Sequence, residues 1–104
     1  MLKTYINHVK YVLNMDWDLL GLIIGSKIRF EILSLLKEGI MTPTQISKKT
    51  KRHISSISRA LKELKEYDLV ILLNNKRSRN SFYSITEKGK FLLRQIEEKI
   101  SFIK

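Results

Sequence analysis

Ser55, Ser56 and Arg59 share the polar face of an amphipathic segment at residues 54–66, directly after the basic run Lys48, Lys49, Lys51, Arg52 and His53. Short hydroxyls let a helix approach a groove closely and bond to phosphates or base edges. An Arg one turn further along has the reach to donate two hydrogen bonds to guanine O6 and N7, or to hold a phosphate. Lys62, on the same segment, completes this group. Ser55, Ser56 and Ser58 lower intrinsic helix propensity, so they do not serve the helix's own stability. Arg52, Glu63 and Glu66 are expected on the same face. Carboxylates are repelled by a phosphate backbone, so only the N-terminal half is expected to enter a groove. A second cationic group, Lys76, Arg77 and Arg79, lies in the polar stretch Asn74 to Asn80. Like charges at one hairpin apex destabilise it, and a polyanion relieves that repulsion. Arg77 or Arg79 suits a narrow A·T minor groove. A plain solvated surface is the alternative for each group.

Other chemistries lack their residues. Cysteine is absent, which removes disulfides and thiolate metal ligands. His8 and His53 are far apart and have no carboxylates at ligand spacing, so each reads as a surface or boundary residue. The four glycines are dispersed and form no phosphate loop. Asp16 and Asp18 flank Trp17 where a helix start favours acidic residues. No activated nucleophile is evident. Neither an enzyme, a cofactor nor a metal site is expected.

Net charge is +10 over 104 residues, and it is unevenly placed. Residues 1–40 hold five Lys/Arg against four Asp/Glu, whereas residues 41–104 hold fifteen against six. The excess therefore falls on the stretch already singled out, which points to a polyanionic partner. The longest apolar run, Leu19 to Ile24, is far short of the roughly 20 residues a bilayer crossing takes, so no membrane association is expected. Asp16 and Asp18 interrupt any signal-peptide core, and a cytoplasmic location is the expectation.

The elements that must hold these residues follow from periodicity. Tyr5, Ile6, Val9, Val12 and Leu13 have helical spacing over 3–14, and a short helix is expected over Trp17 to Ile24. Gly25 breaks it. Ser26 caps a helix over Lys27 to Lys37 with Ile28, Ile32, Leu35 and Leu36 on its apolar face, and Gly39 suits its stop. Thr42, Pro43 and Gln45 predict a capping box opening a short helix that ends near Lys49, with Ile46 as its core residue. Residues 50–53 form the turn. Ile57, Leu61 and Leu64 stripe the next helix, with Ile54 at its leading edge, and Asp68 suits the left-handed residue that ends it. Leu69 to Leu73 and Ser81 to Ile85 read as two strands. Phe82 and Tyr83 fall on opposite faces of the second, so at most one is free to stack on a base. Thr86 caps a last helix from Glu87 to about Ile103, lined by Phe91, Leu92, Ile96, Ile100 and Ile103.

Taken in order, Ser26–Leu36, Ile46–Thr50, Ile57–Leu64, Asp68–Val70 and Ser84–Lys90 resemble the winged helix-turn-helix regulators of the ArsR/MarR type. The resemblance covers Ser26 to Ile96. It implies a mainly α fold with a small β-hairpin, in the order α-α-α-α-α-β-β-α. It also implies sequence-specific duplex DNA binding, usually by a homodimer and often as a repressor. Ser55, Ser56 and Arg59 would then face bases, and Lys51, Arg52, His53, Lys62, Lys76, Arg77 and Arg79 complete the expected DNA contacts. Lys51 stands where such turns often have Gly, and Arg52 where they often have an apolar residue, which makes the turn more phosphate-directed. Asp68 stands in place of the usual Gly. The Cys or His clusters of metal-sensing members are missing.

One domain over 1–104 is expected: a helical extension at 1–25, a reading core at 26–86 with its wing at 69–85, and a C-terminal helix at 87–104. The apolar surplus of the two terminal parts predicts a second hydrophobic layer, within the monomer or across a two-fold axis, with the dimer preferred. The competing classes are a winged-helix module that binds protein, and an RNA binder, which lacks a stacking platform.

Overall fold

Helix boundaries follow local capping chemistry. The computed structural model describes residues 17–74 and 81–103. Among these are five helices, α1 (Trp17–Ile24), α2 (Lys27–Glu38), α3 (Pro43–Thr50), α4 (Ile54–Glu66) and α5 (Glu87–Ile103), and two strands, β1 (Val70–Leu72) and β2 (Tyr83–Ile85). The helix expected at 3–14 and the cationic tip at 76, 77 and 79 lie outside the described residues. No described helix is long and apolar enough to cross a membrane.

Ser26 caps α2, its side chain accepting from the Arg29 N–H at 3.4 Å. At the start of α3 both capping-box bonds form: the Gln45 N–H donates to Thr42 Oγ1 at 3.2 Å, and the Thr42 N–H donates to Gln45 Oε1 at 2.8 Å. Gly39 follows α2 with φ 166°, which is extended backbone. It does not supply the left-handed cap the sequence suggested. Asp68 does, with φ 61°. Leu69 N–H donates to Leu64 O and Asp68 N–H to Lys65 O, both at 3.0 Å. These two bonds close a Schellman motif that ends α4.

The wing is antiparallel, with Val70 opposite Ile85 and Leu72 opposite Tyr83. Pleat alternation turns Val70, Leu72, Tyr83 and Ile85 toward the helices and leaves Ile71 and Phe82 exposed. Met41 adds one antiparallel bridge to Tyr83 on the far edge of β2. The base of the wing is tied by Thr86. Its N–H donates to Leu69 O at 3.0 Å, its hydroxyl donates to Asp68 O at 2.6 Å, and the same oxygen accepts the Gly89 N–H at 3.0 Å.

The core runs through all five helices. Leu19, Leu20 and Ile23 of α1 are buried with Ile32, Leu33 and Leu36 of α2, Ile46, the α4 stripe, and Leu92, Leu93 and Ile96 of α5. The second hydrophobic layer expected from the terminal parts forms at least in part within the monomer, where α1 packs on α2 and α5 of the same chain. One expectation changes. Leu33 and Leu93, which periodicity left off the apolar faces, are fully buried, while Phe91 is half-buried. Both α2 and α5 have neighbours on more than one side, so their buried arcs are wider than a single stripe. Ile100 and Ile103 are not among the described side chains.

Gly89 is where α5 crosses the wing base. A Cβ there would lie 2.3 Å from Leu69 O and 2.7 Å from the Ile85 side chain. Gly89→Ala is therefore expected to cost about 1–3 kcal/mol by overpacking, read as a lower urea midpoint. An unchanged midpoint would mean the helix does not press on the strand as described.

Candidate nucleic-acid interface

The reading face is shaped by what α4 buries. Ile57, Ala60, Leu61 and Leu64 recur at helical spacing and are 0–4% exposed. Opposite them Ser55, Arg59 and Lys62 are exposed, with Ser56 and Ser58 on the flanks also exposed. Ile54, placed at the leading edge of the buried stripe by sequence, is instead 40% exposed at the start of the helix. Lys48, Lys49 and Lys51 are exposed on the preceding helix and turn. Among the described residues, none of Lys48, Lys49, Lys51, Ser56, Arg59 or Lys62 has an ion-pair or side-chain hydrogen-bond partner.

The turn is held by its own backbone. Lys51 adopts φ 58°, ψ 34°, the conformation Gly enters freely, at a cost of roughly 1–2 kcal/mol for an L side chain. Arg52 N–H donates to Ser47 O at 3.2 Å, and the Ser47 hydroxyl donates back to Arg52 O at 2.6 Å. His53, read as a surface or boundary residue and as one of the expected DNA contacts, is exposed and also caps α4. Its Nδ1 accepts from the Ser55 N–H at 3.5 Å and lies 3.0 Å from Ser55 Oγ. The Ser55 hydroxyl is thus partly engaged by the cap, whereas Ser56 and Ser58 make no such bond.

Two charged residues depart from expectation. Arg52 was expected as a free, phosphate-directed cation. Its Nε donates to Glu31 Oε2 at 3.0 Å and its Nη2 to Glu31 Oε1 at 3.4 Å, so its charge is matched on α2. Glu63 was expected on the open face of α4, but it is half-buried and ion-paired with Arg29. The sequence held a signal for this. Arg29 falls at i, i+3, i+4 and i+7 with Ile32, Leu33 and Leu36, a position on an apolar face where a cation needs a partner. The hydrogen bond from Arg52 holds the Glu31 carboxyl below the usual carboxylate range, partly offset by desolvation, and the same bond raises Arg52.

Comparison with known proteins places the chain. The winged helix-turn-helix family model matches residues 25–104, and the chain belongs to that family. No curated protein matches in sequence. Among solved structures it is similar to the wild-type ZitR of Lactococcus lactis, solved in complex with DNA, at 28% identity and a TM-score of 0.60, over 73% of this chain and 56% of that one. A C30AH42A mutant of ZitR matches at 28% identity and TM-score 0.63, over 75% of this chain and 57% of that one, so the chain spans little more than half of ZitR. The transcriptional regulator BldR of Sulfolobus solfataricus shares the fold at TM-score 0.70 and 21% identity, over 98% of this chain and 76% of that one.

The Glu31–Arg52 pair predicts an acid dependence. A carboxyl whose folded pKa is depressed stabilises the fold above its unfolded value, and that contribution disappears as pH falls through the folded value. Glu31→Gln is therefore expected to lower the thermal midpoint at pH 7, with the gap to the parent closing as pH falls from about 5 to 3. A gap that persists unchanged at pH 3 would show that the pair contributes nothing through its charge. The effect is modest because the pair is partly exposed.

Proposed function

We propose that the chain is a sequence-specific, duplex-DNA-binding transcriptional regulator. The observation that carries this reading is the exposed serine, arginine and lysine face of α4, whose opposite face is locked in the core. Arg59 reads base edges, assisted by the small hydroxyls of Ser55 and Ser56 beside it. Lys48, Lys49, Lys51 and Lys62 hold phosphates, which supply affinity without sequence information. His53 sets the start of the reading helix through its cap. The cationic residues Lys76, Arg77 and Arg79 extend the positive surface along the backbone or into the minor groove. The chain acts as a homodimer through its terminal helices, which would bring two α4 helices to successive major grooves about 34 Å apart. Repression is the mode we favour, and no catalytic activity is assigned.

Selection of duplexes from a random pool, with the mass of the complex measured, tests specificity and stoichiometry together. A two-fold symmetric motif bound by two chains is expected; recovery of no preferred duplex would remove the reading. Arg59→Ala is expected to weaken binding to the selected duplex by about 1–3 kcal/mol and to relax one base position. Equal losses on selected and shuffled duplexes would limit Arg59 to phosphates. Replacing Lys48, Lys49 and Lys51 by Gln is expected to reduce the slope of log affinity against log salt by roughly one per lost phosphate contact. An unchanged slope would take the turn out of the interface.

A further inference from the structure

A helix that reads bases must be held in position as well as exposed. α4 is clamped to α2 near both of its ends by ion pairs of opposite polarity. Toward the C-terminal end, Arg29 Nε donates to Glu63 Oε2 at 3.0 Å, and its Nη2 bonds the same oxygen. The remaining arm, Nη1, donates to the Leu22 carbonyl in the last turn of α1 at 3.2 Å. One guanidinium therefore joins α1, α2 and α4. Just before the N-terminal end of α4, Arg52 is held by Glu31, also on α2. The side chains are one-fifth to one-third exposed: 22% and 34% for Arg29 and Glu63, 33% and 29% for Arg52 and Glu31.

Neither pair is an economical source of stability. Partly exposed ion pairs contribute little, and an apolar residue at position 29 would extend the α2 stripe without a desolvation cost. What such pairs supply is direction. Hydrophobic contact fixes which face of α4 is buried but tolerates small slides and tilts; charge-assisted bonds from a planar guanidinium, forked onto both oxygens of Glu31 and converging on one oxygen of Glu63, resist them. Reversing the charges along α2, cation to one end of α4 and anion to the other, also opposes a shift of the helix along its neighbour.

From this the geometry points to Arg29, Glu31, Arg52 and Glu63 as positioning residues for base reading, with Arg29 coupling the α1 segment to the reading helix. The inference rests on the DNA-binding reading above. It predicts that breaking a pair lowers discrimination between duplexes, even where the substitution adds positive charge. Simple electrostatics predicts a different result for Glu63→Arg: tighter binding to all DNA with the ratio between duplexes unchanged.

The test compares affinity for the duplex enriched by the parent protein with affinity for a shuffled duplex. Arg29→Glu and Glu63→Arg are each expected to lower that ratio roughly tenfold, and the combined swap to restore it to within about threefold. Parental ratios in both single variants, or a swap that restores nothing, would overturn the Arg29–Glu63 assignment. Should a single variant fail to fold by circular dichroism, the apolar pair Arg29→Met with Glu63→Leu is read instead. A folded protein with a reduced ratio supports the assignment, and one with the parental ratio overturns it. For the other pair, Glu31→Gln should lower the ratio with the salt slope unchanged. Tighter binding to both duplexes with a steeper slope would make Arg52 a shielded phosphate contact instead. A parent that enriches no duplex sinks the DNA reading and this inference together; a selective parent with indifferent variants sinks only the inference.

Discussion

Burial of the Ile57, Ala60, Leu61 and Leu64 stripe is the constraint on which the surface chemistry depends. A helix has a single phase. Once these four side chains are within the core, Ser55, Arg59 and Lys62 have no direction left but outward. Each large apolar side chain so buried is worth about 1.5–3 kcal/mol, several times what a partly exposed ion pair contributes. Hydrophobic contact therefore decides the rotation of α4, and the polar contacts act only within that rotation, trimming tilt and slide.

The wing is fixed to the same helix by backbone chemistry. α4 ends in a Schellman turn at Asp68, and the strand begins two residues later. Thr86 then binds the carbonyls of both Asp68 and Leu69, so the return strand and the start of α5 are anchored to the end of α4. Gly89 allows the close approach that this anchoring demands. The hairpin base is consequently a rigid extension of the reading helix, whatever its tip contacts.

Charge is divided between internal and external use. Net charge alone counts Arg29 and Arg52 as part of a basic surface, yet both are matched by carboxylates on neighbouring elements. Among the described residues, the cations left without such partners are Lys48, Lys49, Lys51, Arg59 and Lys62, grouped on α3, the turn and α4, together with Lys27, Lys65, Lys88 and Arg94. A smaller set of unmatched charges on one side of a helix and its turn is better suited to a polyanion than a diffuse excess, because field strength follows local rather than total charge.

Much of this was legible in the linear chain. Caps at Ser26 and Thr42, the stripe of α4, the left-handed residue at Asp68 and the two wing strands are consequences of local sterics, hydrogen-bonding capacity and period, all of which reside within a few neighbouring residues. What escaped depended on elements distant in sequence. Periodicity left Leu33 and Leu93 off the apolar faces, because it sees one helix at a time and they are buried by a second neighbour. The His53 cap was missed because His is an uncommon residue at that position and only the folded turn aims its ring at Ser55. Arg29 and Glu63 are 34 residues apart, as Glu31 and Arg52 are 21 apart. Sequence could mark Arg29 as a cation on an apolar face, but only the packing of α4 across α2 could choose its partner. Local chemistry determined which elements form and which face each turns inward; long-range packing decided which charges neutralise one another, because Coulomb partners are set by distance in space and not along the chain.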